Sequence, residues 1–128
     1  MESPYKGKTG LRRLVNALRY SFDGLRAAYR CEEAFRQELW VAAVLVPTAL
    51  LVDVGHDWKA LMIGSVLLLI IVELLNSAVE ATVDRVSLDD HRLAKRAKDI
   101  GSAAVLVAIG NLTVVWAFGL TAVLFTKS

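Results

Sequence analysis

The chain has 128 residues, 55% of them hydrophobic, a mean hydropathy of +0.48 and a formal net charge of +2. That apolar content exceeds what the core of one soluble domain of this size needs, so the composition excludes a soluble globular protein and points to a single membrane-embedded domain over residues 1–128. The basic residues stand beside apolar runs, where they meet anionic lipid, so no nucleic-acid partner is expected.

Met1–Gly10 has no apolar core of the kind a cleavable signal peptide carries, and insertion is expected to depend on the later apolar segments. From about residue 11 to 30, Leu11, Leu14, Val15, Leu18, Phe22, Leu25 and Tyr29 recur at steps of three and four. Arg12, Arg13, Asn16, Arg19, Tyr20 and Asp23 take the other face. This pattern predicts an amphipathic helix lying in the membrane interface with its apolar stripe toward the acyl chains. The lone Cys31 has no partner for an intramolecular disulfide.

A first span is expected at about 35–54, interrupted by Pro47, which a membrane helix tolerates when neighbours satisfy the freed carbonyl. Asp53-Val54-Gly55-His56-Asp57 reads as a tight polar turn, and His56 as a solvated residue. The second span covers about 58–83 and the third about 100–126, the latter without a single charge and long enough to cross a hydrocarbon core of roughly 30 Å. Between them, residues 84–99 form a charged loop in which Ser87 is placed to cap a helix. Trp40, Trp58 and Trp116 are candidate interface anchors. Lys6, Lys8, Arg12, Arg13, Arg19, Arg26, Arg30 and Arg36 precede the first span, the 53–59 linker holds only Lys59, and residues 84–99 hold Arg85, Arg92, Lys95, Arg96 and Lys98. The positive-inside rule therefore puts the N-terminus and the 84–99 loop in the cytoplasm.

Glu73 breaks the uncharged run of the second span. A carboxylate at acyl depth costs roughly 2.5–3.5 kcal/mol on insertion scales, and such groups face a protein interior or a wet cavity. On a helix, Glu73, Glu80 and Asp84 fall within about 20° of one line, flanked by Asn76 and Ser77, with Glu80 about 10 Å and Asp84 about 16 Å along the axis from Glu73. The stripe runs from the aqueous border to the depth of a lipid's polar group. That geometry suits transfer of a charged group to a membrane-embedded alcohol. Glu80, with an acid such as Glu32, supplies the hard oxygens a magnesium ion takes, nucleotide phosphates completing its shell. Lys98 and Asp99, where the third span begins, suit a phosphate contact and a metal or hydrogen-bond contact, and Glu73 suits the role of general base. No Walker-type glycine loop, protein-kinase signature or Cys/His metal cluster is present.

The run Glu73-Leu-Leu-Asn76-Ser77-Ala-Val-Glu80-Ala-Thr-Val-Asp84-Arg85 resembles the signature of the small prokaryotic integral-membrane diacylglycerol kinases. Gly24-Leu-Arg26-Ala-Ala, Ala34-Phe35-Arg36-Gln37-Glu38 and Arg96-Ala-Lys98-Asp99-Ile-Gly-Ser102 agree with it, and the likeness extends from about residue 11 to 126. The chain departs from the family pattern at Cys31, and at Asp89-Asp90 before His91. The resemblance implies an all-α protein with a surface helix and three spans, a homotrimer with shared sites in the inner membrane. It implies phosphorylation of diacylglycerol to phosphatidic acid by magnesium ATP. By motif position, Glu73 is the base, Asn76 its neighbour at the lipid hydroxyl, and Glu32 and Glu80 the metal ligands. Arg13, Tyr20, Asp89, Asp90, His91, Lys98 and Asp99 fall to the nucleotide, and Arg13, Glu38 and Ser102 to the lipid substrate. Relatives with this signature also act on undecaprenol, which is the alternative acceptor. A non-catalytic transport subunit is a more distant reading that explains Glu73 but leaves Glu80, Asp84, Lys98 and Asp99 without a shared task.

Overall fold

The structure is a computed structural model that describes residues 10–86 and 91–126. Its elements are α1 (Gly10–Cys31), α2 (Glu33–Leu51), α3 (His56–Val86) and α4 (His91–Thr126), with no strand among the described residues. Ser87, Asp89 and Asp90 lie outside the described residues, and so does any helix cap Ser87 would make. The chain divides after Glu33 into two units.

In the first unit, α1 forms as its three-and-four spacing predicts. Leu14, Leu18, Phe22 and Tyr29 all stay exposed along its stripe, and Ala28 is its buried residue. An apolar stripe left uncovered by protein is what a helix lying on a lipid surface presents.

In the second unit, α2, α3 and α4 are each long and apolar enough to cross a membrane. α3 and α4, of 31 and 36 residues, extend about 46 and 54 Å at 1.5 Å per residue, longer than a hydrocarbon core of roughly 30 Å. The expected 84–99 loop is therefore mostly helix. α3 continues to Val86 and α4 starts at His91, so Lys95, Lys98 and Asp99 stand on the first turns of α4.

Ala49, Met62, Val66 and Trp116 form the core of this unit, one or two residues from each helix. Trp116 is not an interface anchor. It is 7% exposed, and its indole N–H donates to the Met62 carbonyl at 3.1 Å, because an indole buried among apolar groups needs a partner for its hydrogen. Trp40 is exposed, as an anchor would be. α2 passes through Pro47 without a break. At its C-terminal end, the Lys59 ammonium donates to the Leu50 carbonyl at 2.7 Å, satisfying one of the acceptors that a helix end leaves open and placing a cation at the negative end of the helix dipole.

Candidate active site

The buried face of α3 decides what its polar residues do. Met62, Ser65, Val66, Leu69, Glu73, Asn76 and Ser77 are the buried positions, stepping by three and four along one side. The polar residues thus continue the same face that packs the core, and Glu73 is only 4% exposed. Lipid does not surround it. Further along, Glu80 is half-buried and Asp84 exposed, so the polar stripe read from the sequence runs from the interior of the bundle out to its surface.

Glu38 reaches this site from α2. Its position follows from spacing, since 38, 42, 45 and 49 share one helix face, and Ala42, Leu45 and Ala49 pack into the core. The Glu38 carboxyl shares a side-chain hydrogen bond with that of Glu73. Two carboxyls can do so only when one of them holds a hydrogen, because an ionised carboxylate has no donor. Glu38 was expected at the border of a lipid site, but its described partner is the acid of the next helix.

Among the described residues, three buried side-chain atoms on these two helices lack a hydrogen-bond partner: Glu38 Oε2 on α2, and Asn76 Oδ1 and Ser77 Oγ within four residues of Glu73 on α3. A buried polar group left unpaired costs about 1–3 kcal/mol, and native cores hold few of them. Ser65, on the same face, shows the contrast, its hydroxyl donating to the Met62 carbonyl at 2.7 Å.

At the outer end of the stripe, the Lys98 ammonium of α4 meets Asp84 of α3 at 2.6 Å. The hydrogen bond and charge of Asp84 hold the Lys98 pKa above its ordinary value, with a smaller pull from Glu80. Lys98, Asp84 and Glu80 are thereby brought together. Asp99 turns elsewhere and pairs with Lys95 at 2.7 Å, in a surface groove it shares with Arg92 and Arg96. Ser102 and His91 are exposed on α4. In the first unit, Arg13 and Tyr20 line one hollow of about 270 Å³ with Asn16 and Ala17, and Glu32 is half-buried.

Among the described residues, no three His, Cys, Asp or Glu side chains converge on a point where a metal would sit. Magnesium does not require that. It is held by one or two carboxylates with phosphate and water oxygens around the rest of its shell, so the half-buried Glu80 carboxylate fits this donor set, and the Lys98 ammonium, which feels the Glu80 charge, suits a phosphate accompanying the ion.

The model of the family described as prokaryotic diacylglycerol kinase matches residues 19–120, which takes in all of α2 and α3 and most of α1 and α4. This chain belongs to that family. It is 58% identical to a diacylglycerol kinase of Pseudomonas aeruginosa over 115 residues, covering 90% of this chain and 94% of the relative. Identity is 49% to the diacylglycerol kinase of Escherichia coli K12 over 108 residues, 84% of this chain and 88% of that one. The Haemophilus influenzae diacylglycerol kinase is 45% identical over 84% of this chain and 92% of its own length. The membrane-spanning architecture expected from the family resemblance is the one the kinase fold here displays, with three apolar helices after an amphipathic one.

Proposed function

We propose that this chain is an ATP-dependent kinase that phosphorylates the free hydroxyl of diacylglycerol, giving phosphatidic acid. The observation behind it is a buried Glu73 with partnerless buried polar atoms close to it in the helices: Ser77 Oγ, one turn along α3, and Oε2 of Glu38, its hydrogen-bond partner from α2. A hydroxyl entering there finds an acceptor in Glu38 Oε2 and a donor in the Ser77 hydroxyl, and the cost of leaving those buried atoms unpaired is offset when it does.

In this reading the acceptor hydroxyl oxygen attacks the γ-phosphorus of ATP, its proton passes to a Glu73 carboxylate oxygen, and the bond from phosphorus to the β–γ bridging oxygen breaks to release ADP. Asn76, one turn along α3 from Glu73, orients the hydroxyl. Lys98 lies where it can meet phosphate charge, and Arg13, Tyr20, Asp89, Asp90, His91 and Asp99 are assigned to the nucleotide by motif position alone. Glu32 and Glu80 are the residues that would hold magnesium, whose chemistry is neutralisation of phosphate charge. Ser102 and Glu38 border the lipid. The family resemblance suggests a homotrimer in the inner membrane, and the excess of Lys and Arg before α2 supports a cytoplasmic N-terminus.

The test is transfer of label from γ-labelled ATP in mixed micelles containing either diacylglycerol or undecaprenol. Label in phosphatidic acid is the expected result. Label only in the polyprenol moves the acceptor to the alternative, and label in neither removes the kinase reading.

A further inference from the structure

Gly101, on α4, lies where α3 and α4 pack together, the most extensive contact between helices in the unit. A Cβ placed on it would run into Oδ1 of Asn76 and stand 3.3 Å from its Cγ. The same atom added at Gly64 on α3 or Gly110 on α4 would meet nothing within 4 Å. Gly119 on α4 is likewise tight, against Met62 Sδ at 2.7 Å, so what distinguishes position 101 is its neighbour, the Asn76 amide.

The Asn76 amide needs such a seat. The last torsion of an asparagine side chain is broad, and hydrogen bonds ordinarily fix its plane. Here Oδ1 is buried with no hydrogen-bond partner among the described residues, and Asn76 as a whole is only 9% exposed. What holds the amide is contact with the backbone of α4. Ala97 and Ala104 flank Gly101 on the same face, and with Val72 and Val79 they wall an apolar groove of about 400 Å³ in which Asn76 is the polar lining side chain. Small residues on one helix face let another helix come close, and at 101 the space is taken by a side chain of α3.

We propose that Gly101 is a positioning residue for Asn76, its missing Cβ leaving the room in which the amide lies flush against α4, one turn from Glu73. An alanine at 101 pushes the amide out of that seat and turns it away from the place where a hydroxyl would bind. The proposal rests on the reading of Asn76 as the neighbour of the acceptor hydroxyl.

The test is a double-mutant cycle on purified full-length protein, with Gly101→Ala, Asn76→Ala and the pair, each scored for kcat, for the KM of MgATP and of diacylglycerol, and for thermal unfolding in micelles. Gly101→Ala is expected to lower kcat by about 10²-fold, the scale of a misplacement near 1 Å, with the KM for MgATP within about threefold of the parent. In the Asn76→Ala background the same alanine is expected to cost less than about twofold, since the amide it would displace is gone. Parental kcat in Gly101→Ala would overturn the proposal. So would an equal loss in both backgrounds, which would assign the effect to helix approach. If Gly101→Ala does not fold, recovery of folding in the pair supports the seat and failure of both overturns it. The reading of Asn76 is judged separately: full activity of Asn76→Ala alone removes it, while coupling between the two positions in thermal unfolding still reports whether the seat exists.

Discussion

The carboxyl of Glu38 on α2 is hydrogen-bonded to that of Glu73 on α3. The acid at the centre of the polar face is thus held from a second helix, and its orientation depends on a side chain 35 positions earlier in the chain. Glu73→Gln should lower kcat by at least about 10²-fold and leave the KM for MgATP nearly unchanged, because a base acts on the hydroxyl and not on the nucleotide. Glu38→Gln retains a hydrogen donor for Glu73 and should keep more activity than Glu38→Ala, which leaves the buried acid without its partner. Steady-state kinetics of the three variants decide this, and equal losses in Glu38→Gln and Glu38→Ala would contradict it.

The Lys98–Asp84 pair joins the exposed ends of α3 and α4. Because Asp84 raises the Lys98 pKa, the pair's contribution to stability is complete below the ordinary lysine value of 10.5 and is lost only as pH rises through the higher folded value. Between about pH 6 and 9, Asp84→Asn should therefore shift thermal unfolding by a constant amount, with no added slope. Lys98→Met should raise the KM for MgATP by about tenfold, as expected when one charge-assisted phosphate contact is lost. Unfolding scans at several pH values and ATP titrations test the two statements independently.

In the core, Trp116→Phe removes the hydrogen bond to the Met62 carbonyl and should destabilise the bundle by roughly 1–2 kcal/mol. Gly119→Ala puts a methyl 2.7 Å from Met62 Sδ, but the thioether is flexible and can move aside. It should cost less than the tryptophan change. Thermal unfolding in one detergent ranks the two variants.

α1 should report a lipid surface on one side only. Spin labels at Leu18 and Phe22 are expected to be accessible to oxygen, which dissolves in acyl chains, and labels at Arg12 and Arg19 to a water-soluble relaxation agent. Equal accessibility of all four to the aqueous agent would place the helix in solution.

Hydropathy and spacing were sufficient for the three spans and the surface helix, since each of those patterns is local. A helix starting near Ser87 was expected in the 84–99 segment, but not that α4 would run unbroken from His91 into the third span. Its first turns are charged, so the uncharged run suggested Ile100 as the start of the span, and the helix is longer than the membrane it crosses. The stripe from Glu73 to Asp84 was readable because it repeats along one helix. Glu38 against Glu73, Lys98 against Asp84 and the Asn76 seat on Gly101 were not, because each joins two helices whose mutual rotation no single segment encodes. The periodic placement of 38, 42, 45 and 49 was a signal that Glu38 shares the packed face of α2, and it could have been found. Trp116 gave none that separates a rim position from an interior one.

The Lys59 ammonium on the Leu50 carbonyl pins the far turn of the α2–α3 hairpin, roughly 18 Å along α2 from Glu38. A helix fastened at one end keeps its azimuth at the other. On the reading of Glu73 as the base, loosening that fastening, or adding a residue to the short turn beside it, would act on the Glu38–Glu73 contact from the opposite end of the bundle.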